Sequence, residues 1–269
     1  ERLDPPSELI IPLKQDQGKS CTATVKKGAI VNIGDLIGES EQSAVHSCVS
    51  GKVIEINKRF PHASGELISA ILIESDENSK ETDEVLKSLD PLETAQKAGL
   101  VDMQGSGTAL KKKIEEARKQ SVRTIIVNAI DEEPWFSSRT LCLLEQVEEL
   151  ARGIEILKDL LDVSIVYIAS YEQAPSTLPD SAGQVLTLPP RHPQSLPELI
   201  VKAVLGKEVG RDYTAEAIGA SVFDVESICA LARAMEKGKP LTMRYLSVWG
   251  ADWETPKNIQ VPIGTKIGD

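Results

Sequence analysis

This sequence has no cysteine pair at metal or redox spacing. Its four cysteines, Cys21, Cys48, Cys142 and Cys229, are far apart and show no CxxC, which excludes a zinc ribbon or an iron–sulfur cluster built from this chain alone. They read as scattered reduced thiols, the pattern of a cytosolic compartment. Apolar runs long enough to span a membrane are missing, as is a signal peptide. Positive charge is in deficit: 30 Lys and Arg stand against 41 Asp and Glu, for a net charge of −11. That disfavours nucleic acid and direct binding to anionic membranes, both of which need basic patches. The chain opens on Glu1 without Met, which reads as an excised fragment. Hydrophobic content of 41% and charged content of 26% are ordinary for a globular protein.

Residues 98–135 organise the rest. A glycine-bearing loop, Gln104-Gly105-Ser106-Gly107, runs into the charged helix that carries Lys111, Lys112 and Lys113. A strand follows, Thr124 to Val127, and ends in Asn128, then Asp131-Glu132-Glu133 and Pro134. In α/β folds ligands sit beyond the carboxyl ends of strands. Glycines let backbone approach a phosphate, and acidic strand ends can hold ribose hydroxyls. The bland alternatives are a plain turn, a solvated lysine face paired with Glu115 and Glu116, and an exposed acidic loop.

Before this stretch, short β-rich segments with glycine turns predict a small all-β unit: Glu8–Pro12, Thr22–Val25, Ile30–Val31, Asp35–Ile37, Lys52–Ile56 and Leu67–Glu74. Residues 36–49 hold no lysine, so a lipoyl or biotinyl swinging arm is excluded. His46 has no partner at ligand spacing and reads as structural. Cys48 reads as a small core residue. Residues 75–91 read as a charged linker. After the acidic strand end, Ser137–Asp162 reads as one long helix with an apolar face, and Gly153 within it suits close packing. Strands over Val163–Ala169 and Gln184–Leu188 and a helix over Leu196–Leu205 imply a largely parallel sheet with helices on both faces. Asp224 reads as the N-cap of a helix over Val225–Lys237, with Gly238 as its stop. Leu241–Val248 and Asn258–Pro262 read as a strand pair.

These segments, in this order, resemble the C subunit of the Rnf electron-transport complex, related to the NADH-binding subunit of respiratory complex I. That family reads AG-I-V-G-x-G-G-A-G-F-P-T in the glycine loop, then a strand ending N-x-x-E-x-E-P. The chain keeps Ala98, Gly99, Val101, Gly105, Gly107, Asn128, Glu133 and Pro134. Val45-His46-Ser47-Cys48-Val49-Ser50-Gly51-Lys52-Val53 resembles the family's V-H-A-P-x-S-G-x-V. Arg191-His192-Pro193-Gln194 parallels its Y-P-Q-G, where a loop histidine is the reading of His192. Arg244 to Gly250 and Pro256 to Thr265 resemble its β-grasp (SLBB) segment.

The resemblance implies a multidomain α/β and β protein. A barrel-sandwich hybrid takes residues 1–78, a linker 79–89, a Rossmann-like FMN/NADH-type domain 90–240, and the incomplete start of a β-grasp domain 241–269. It implies hydride transfer from NADH to FMN, the partner subunits of a membrane-associated redox complex, and a cytoplasmic place peripheral to the inner membrane. The family's 4Fe–4S module falls outside this fragment. The cofactor-binding residues it implies are Gly105, Gly107, Lys113, Asn128, Asp131, Glu132, Glu133 and Asp224, with no catalytic side chain. Trp135 replaces a family Tyr and is expected to bury against the sheet or stack on a ring.

Three departures argue that the flavin site is weakened or lost. Asp102 and Gln104 replace family glycines, Thr108-Ala109 replace Phe-Pro, and Asp224 replaces an amide. Each lost glycine adds a Cβ where backbone would meet phosphate. A carboxylate about 4 Å from a phosphate costs roughly 1 kcal/mol in water and more when desolvated. The other readings are a non-catalytic docking scaffold, a protein like the A subunit of the sodium-pumping NADH dehydrogenase, and a cobalamin-reducing relative.

Overall fold

The structure is a computed structural model. It describes the chain apart from residues 62–64, 77–79, 83–85, 87–89, 105–106, 134, 174, 212, 251–254 and 268–269.

The N-terminal third is all β. Strands β1 (Glu8–Pro12), β2 (Thr22–Ala23), β3 (Ile30–Val31), β4 (Leu36–Glu39), β5 (Ala44–His46), β6 (Gly51–Pro61) and β7 (Leu67–Ser75) form two sheets, ordered β1-β7-β6-β3 and β2-β4-β5. Alternation sends Leu9, Ile11, Ile71 and Ile73 into one apolar core with Ile37, Val45 and Val53, as a half-buried strand demands. Cys48 is buried beside them, and burial pushes its thiol up to about 12. The stretch read as a solvated linker is partly tied down. Lys80 and Ser50 exchange hydrogen bonds of 2.6 and 2.7 Å, and Glu81 bridges Ile33. Its charged composition concealed a run of backbone pairing.

Helix α1 (Pro91–Lys97) opens the α/β unit. Proline at its start costs no hydrogen bond, and the Asp90 carboxylate accepts from the N–H of Leu92 at 3.0 Å. Strands β8 (Val101–Asp102) and β9 (Thr108–Ala109) pair around the glycine loop and lead into α2 (Leu110–Lys119). Next come β10 (Thr124–Ala129), α3 (Ser138–Glu145), α4 (Val147–Leu161), β11 (Ile165–Ser170), β12 (Gln184–Thr187), α5 (Pro197–Leu205), β13 (Ala220–Asp224) and α6 (Val225–Lys237). The four strands make a parallel sheet ordered β12-β11-β10-β13. Ile125 and Val127 face one apolar layer with Phe223 and Leu157, while Ile126 and Ile130 face the other with Ile200.

The single long helix expected over Ser137–Asp162 is two helices, α3 and α4, broken at Gln146 (φ −114°, ψ 42°). The apolar spacing runs on through the break, so periodicity could not reveal it. The Gln146 side chain is held by Arg233 and by the Cys142 thiol. Gly153 lies where α4 crosses α6, and a Cβ there would stand 2.3 Å from the Ile228 carbonyl oxygen.

The two units are joined at α1. The His46 ring spans the seam, with Nδ1 2.8 Å from the Gly34 carbonyl oxygen and Nε2 2.7 Å from that of Lys97. A Cβ on Gly99 would stand 2.2 Å from the Ala44 carbonyl oxygen. The C-terminal residues form an antiparallel hairpin of β14 (Met243–Val248) and β15 (Lys257–Pro262). It returns to the first unit where the N–H of Ile10 donates to the Gly264 carbonyl at 3.0 Å.

Candidate functional site

Three of the parallel strands carry buried polar residues at their carboxyl ends: Asn128, next to last on β10, Ser170 on β11 and Asp224 on β13. Register sets Asn128 beside Asp224. A buried polar group needs a partner, and the partners here come from the chain itself.

Asp102, at the end of β8, is 3% exposed. One carboxylate oxygen is paired with the Lys113 ammonium from the first turns of α2. The other accepts from the N–H of Asp224 at 3.0 Å. Lys113 also lies over the Phe223 ring, 5.0 Å from its centroid. Burial pushes the Asp102 carboxyl up, with Lys113 pulling the other way.

Asp224 is N-cap and ion-pair member at once. Its Oδ1 accepts from the N–H of Glu226 at 2.9 Å, and its Oδ2 accepts from Arg139 Nε at 2.5 Å. Arg139 is the centre that sequence reasoning missed. Its guanidinium also donates to the Ile130 carbonyl and to Glu132, each at 3.1 Å. Burial alone would lower its pKa, but Asp224 and Glu132 outweigh that and hold it above the ordinary arginine range. The available signal was an arginine in the first turn of the helix after an acidic strand end.

The acidic run divides. Asp131 is buried and caps α3 from outside the helix: it accepts from the N–H of Arg139 at 2.8 Å and from the Thr140 N–H and hydroxyl at 3.2 and 2.6 Å. Glu132 and Glu133 are exposed, and Glu133 lies 3.8 Å from Nδ1 of His192. Asn128 donates to the Ser195 carbonyl at 3.2 Å and accepts from the N–H of Ile130 at 3.0 Å. Gln104, in a family glycine position, donates to the same Ser195 carbonyl at 3.0 Å. It thereby ties the glycine loop to the loop before α5, while its own carbonyl oxygen is buried with no hydrogen-bond partner among the described residues. Gly107 has φ +76°, a left-handed backbone that suits glycine. Gly105 lies outside the described residues. Trp135 is not buried against the sheet: it is 66% exposed and stacks on Trp249, with centroids 5.6 Å apart and planes 11° apart.

The structure therefore brings Lys113, Asn128, Asp131, Glu132 and Asp224 into one network with Asp102 and Arg139, leaving Glu133 at its rim. A cleft of about 260 Å³ remains between this network and the hairpin, lined by Met103, Phe136, Arg139, Glu226, Arg244 and Tyr245. Glu226 is buried there, 3.6 Å from Arg244 and accepting from the N–H of Tyr245 at 3.3 Å. Burial pushes its carboxyl up to about 7.

The charges at this end of the sheet oppose a flavin phosphate. Two of the cations at the crevice, Lys113 and Arg139, are engaged by Asp102, Asp224 and Glu132. Each carboxylate about 4 Å from a phosphate charge opposes it by about 4 kcal/mol at the effective dielectric of a protein surface.

Comparison with known proteins agrees with the architecture. Residues 1–78 match the RnfC barrel sandwich hybrid domain, and residues 95–233, more than half of the chain, match the Nuo51 FMN-binding domain. The chain belongs to the Nuo51 FMN-binding domain family, and with the barrel-sandwich unit ahead of that domain it is an RnfC-like member. Among similar curated proteins is the C subunit of the proton-translocating ferredoxin:NAD(+) oxidoreductase complex of Clostridium ljungdahlii, 27% identical over 98% of this chain and 62% of the relative. Another is the C subunit of the ion-translocating oxidoreductase complex of Pseudomonas aeruginosa, 27% identical over 96% of this chain and 36% of the relative. The chain thus spans between about a third and two thirds of these proteins. A solved structure of an NAD+-reducing [NiFe]-hydrogenase in the H2-reduced state shares the fold, with a TM-score of 0.54 and 19% identity, covering 64% of this chain and 37% of the hydrogenase chain. Among the described residues no helix is long and apolar enough to cross a membrane.

Proposed function

We propose that this chain is part of an RnfC-type electron-transport protein whose flavin crevice has become structural. It contributes a scaffold onto which the partner subunits of a redox complex dock, peripheral to the membrane. One observation carries this reading: the two cations at the carboxyl end of the sheet, Lys113 and Arg139, are committed to carboxylates of the chain, Lys113 to Asp102 and Arg139 to Asp224 and Glu132. Likeness to C subunits of ion-translocating oxidoreductases over nearly the whole chain supports the electron-transport setting. The β14–β15 hairpin is read as the opening strands of a β-grasp domain. FMN and NADH remain the ligands implied by the family. Gly107, Lys113, Asn128, Asp131, Glu132, Glu133 and Asp224, and Gly105 by resemblance, are the residues that would surround them in a relative with an open crevice.

The test is a titration of the purified chain with FMN, followed by flavin fluorescence quenching, and with NADH, followed by melting temperature. The expected result is no saturation at micromolar concentrations of either. Stoichiometric FMN retained through gel filtration would instead establish a working flavoprotein and end the scaffold reading.

A further inference from the structure

The Asp102 carboxylate lies between groups that suit an anion. The Lys113 ammonium faces one of its oxygens, and the N–H of Asp224 donates to the other at 3.0 Å. The Lys113 and Asp102 side chains are largely withdrawn from water, 16% and 5% exposed. Ammonium and backbone N–H groups are the usual donors to phosphate and sulfate oxygens. Asp102 also belongs to a two-residue strand next to the glycine loop, not to the sheet that carries the core. Its side chain can therefore be removed without opening the apolar layers.

We propose that Asp102 is a built-in counter-ion, occupying from within the chain an anion position defined by Lys113 and the Asp224 N–H, and that deleting its side chain converts that position into a site for inorganic phosphate. This deepens the reading of the crevice given above and rests on it. It adds that a single side chain keeps the position closed. With Asp102 gone, Lys113 has lost its counter-ion, while Arg139 still holds Asp224 and Glu132, so the freed charge is local to the position vacated. The donors and the room, not the charge alone, make the site.

The experiment compares Asp102→Gly, Asp102→Asn and the Asp102→Gly/Lys113→Met double variant by thermal melting and calorimetric titration. The probe is inorganic phosphate, measured against sodium chloride at matched ionic strength. Asp102→Gly should gain a phosphate-dependent rise in melting temperature that the unsubstituted chain lacks, with affinity about tenfold or more above that of the double variant. Asp102→Asn, which removes the charge but keeps the space filled, should not gain it. Should Asp102→Gly fold only when phosphate is present, that rescue supports the proposal equally. Equal stabilisation by chloride, equal affinity in the double variant, or an Asp102→Gly chain that stays unfolded at every phosphate concentration overturns it. None of these readouts involves flavin. FMN binding by the unsubstituted chain would sink the preceding reading, whereas failure of the phosphate comparison would sink only this one.

Discussion

The body of the central sheet and its carboxyl end are built from the same strands and obey opposite rules. In the body, Ile125, Val127 and Phe223 are fully buried among aliphatic neighbours, and stability comes from area removed from water. One residue further on stand Asn128 on β10 and Asp224 on β13, where burial is just as complete but polar, and ionic where Asp224 meets Arg139. There the gain from pairing is largely spent on desolvation. The body makes the fold, and the end can diverge in charge while the fold persists. This is how a chain can keep a flavin-type architecture and still close its crevice.

Deleting one partner at the ionic end should give the largest effect. Arg139→Ala leaves Asp224 buried without its cation and should lower unfolding free energy by about 3–5 kcal/mol, read from a urea midpoint. Replacing Arg139 by Met together with Asp224 by Asn should recover most of that loss, because no buried charge is then stranded. In the body, Leu157→Ala should cost about 2–5 kcal/mol with no comparable rescue from a second substitution. If the two regions responded alike to paired replacement, the contrast between them would collapse.

Gly153→Ala should cost about 1–3 kcal/mol by overpacking, since the added methyl meets the Ile228 backbone. Melting curves suffice to measure it.

Glu226 sharpens the comparison through pH. Its carboxyl is raised from 4.5 to about 7 in the folded chain. The folded state thus holds a proton that the unfolded state releases. The corresponding stability is complete below about pH 4.5, declines as pH rises, and is gone above about pH 8. A shift of this size is worth at most about 3 kcal/mol at 1.36 kcal/mol per unit. Glu226→Gln should therefore stabilise the chain at pH 8 and leave it unchanged at pH 5, as urea melts at the two pH values would show.

Much of the architecture was legible. β-rich segments between glycine turns located β1 and β7, and Asp224 and Gly238 marked the ends of α6 because capping is local chemistry. The break at Gln146 was hidden, since the bonds that hold it come from Cys142 and the distant Arg233. The substitutions Asp102, Gln104 and Asp224 announced a perturbed crevice, because a side chain in a glycine position, or a carboxylate in place of an amide, is visible in the sequence itself. How the perturbation resolves was not visible. Arg139 meets Asp224 across 85 residues, and Asn128 and Gln104 share the Ser195 carbonyl, pairings that only the folded sheet creates. Trp135 was misplaced for the same reason, as its stacking partner is Trp249.

A double-mutant cycle on Asp102 and Lys113, using Asp102→Asn, Lys113→Met and both together, tests the central claim most directly. The account predicts a favourable coupling of about 1.5–3 kcal/mol in unfolding free energy, the mark of a cation already claimed by the chain. Coupling within about 0.3 kcal/mol of zero would mean that Lys113 is free to meet a ligand, contradicting the closed crevice.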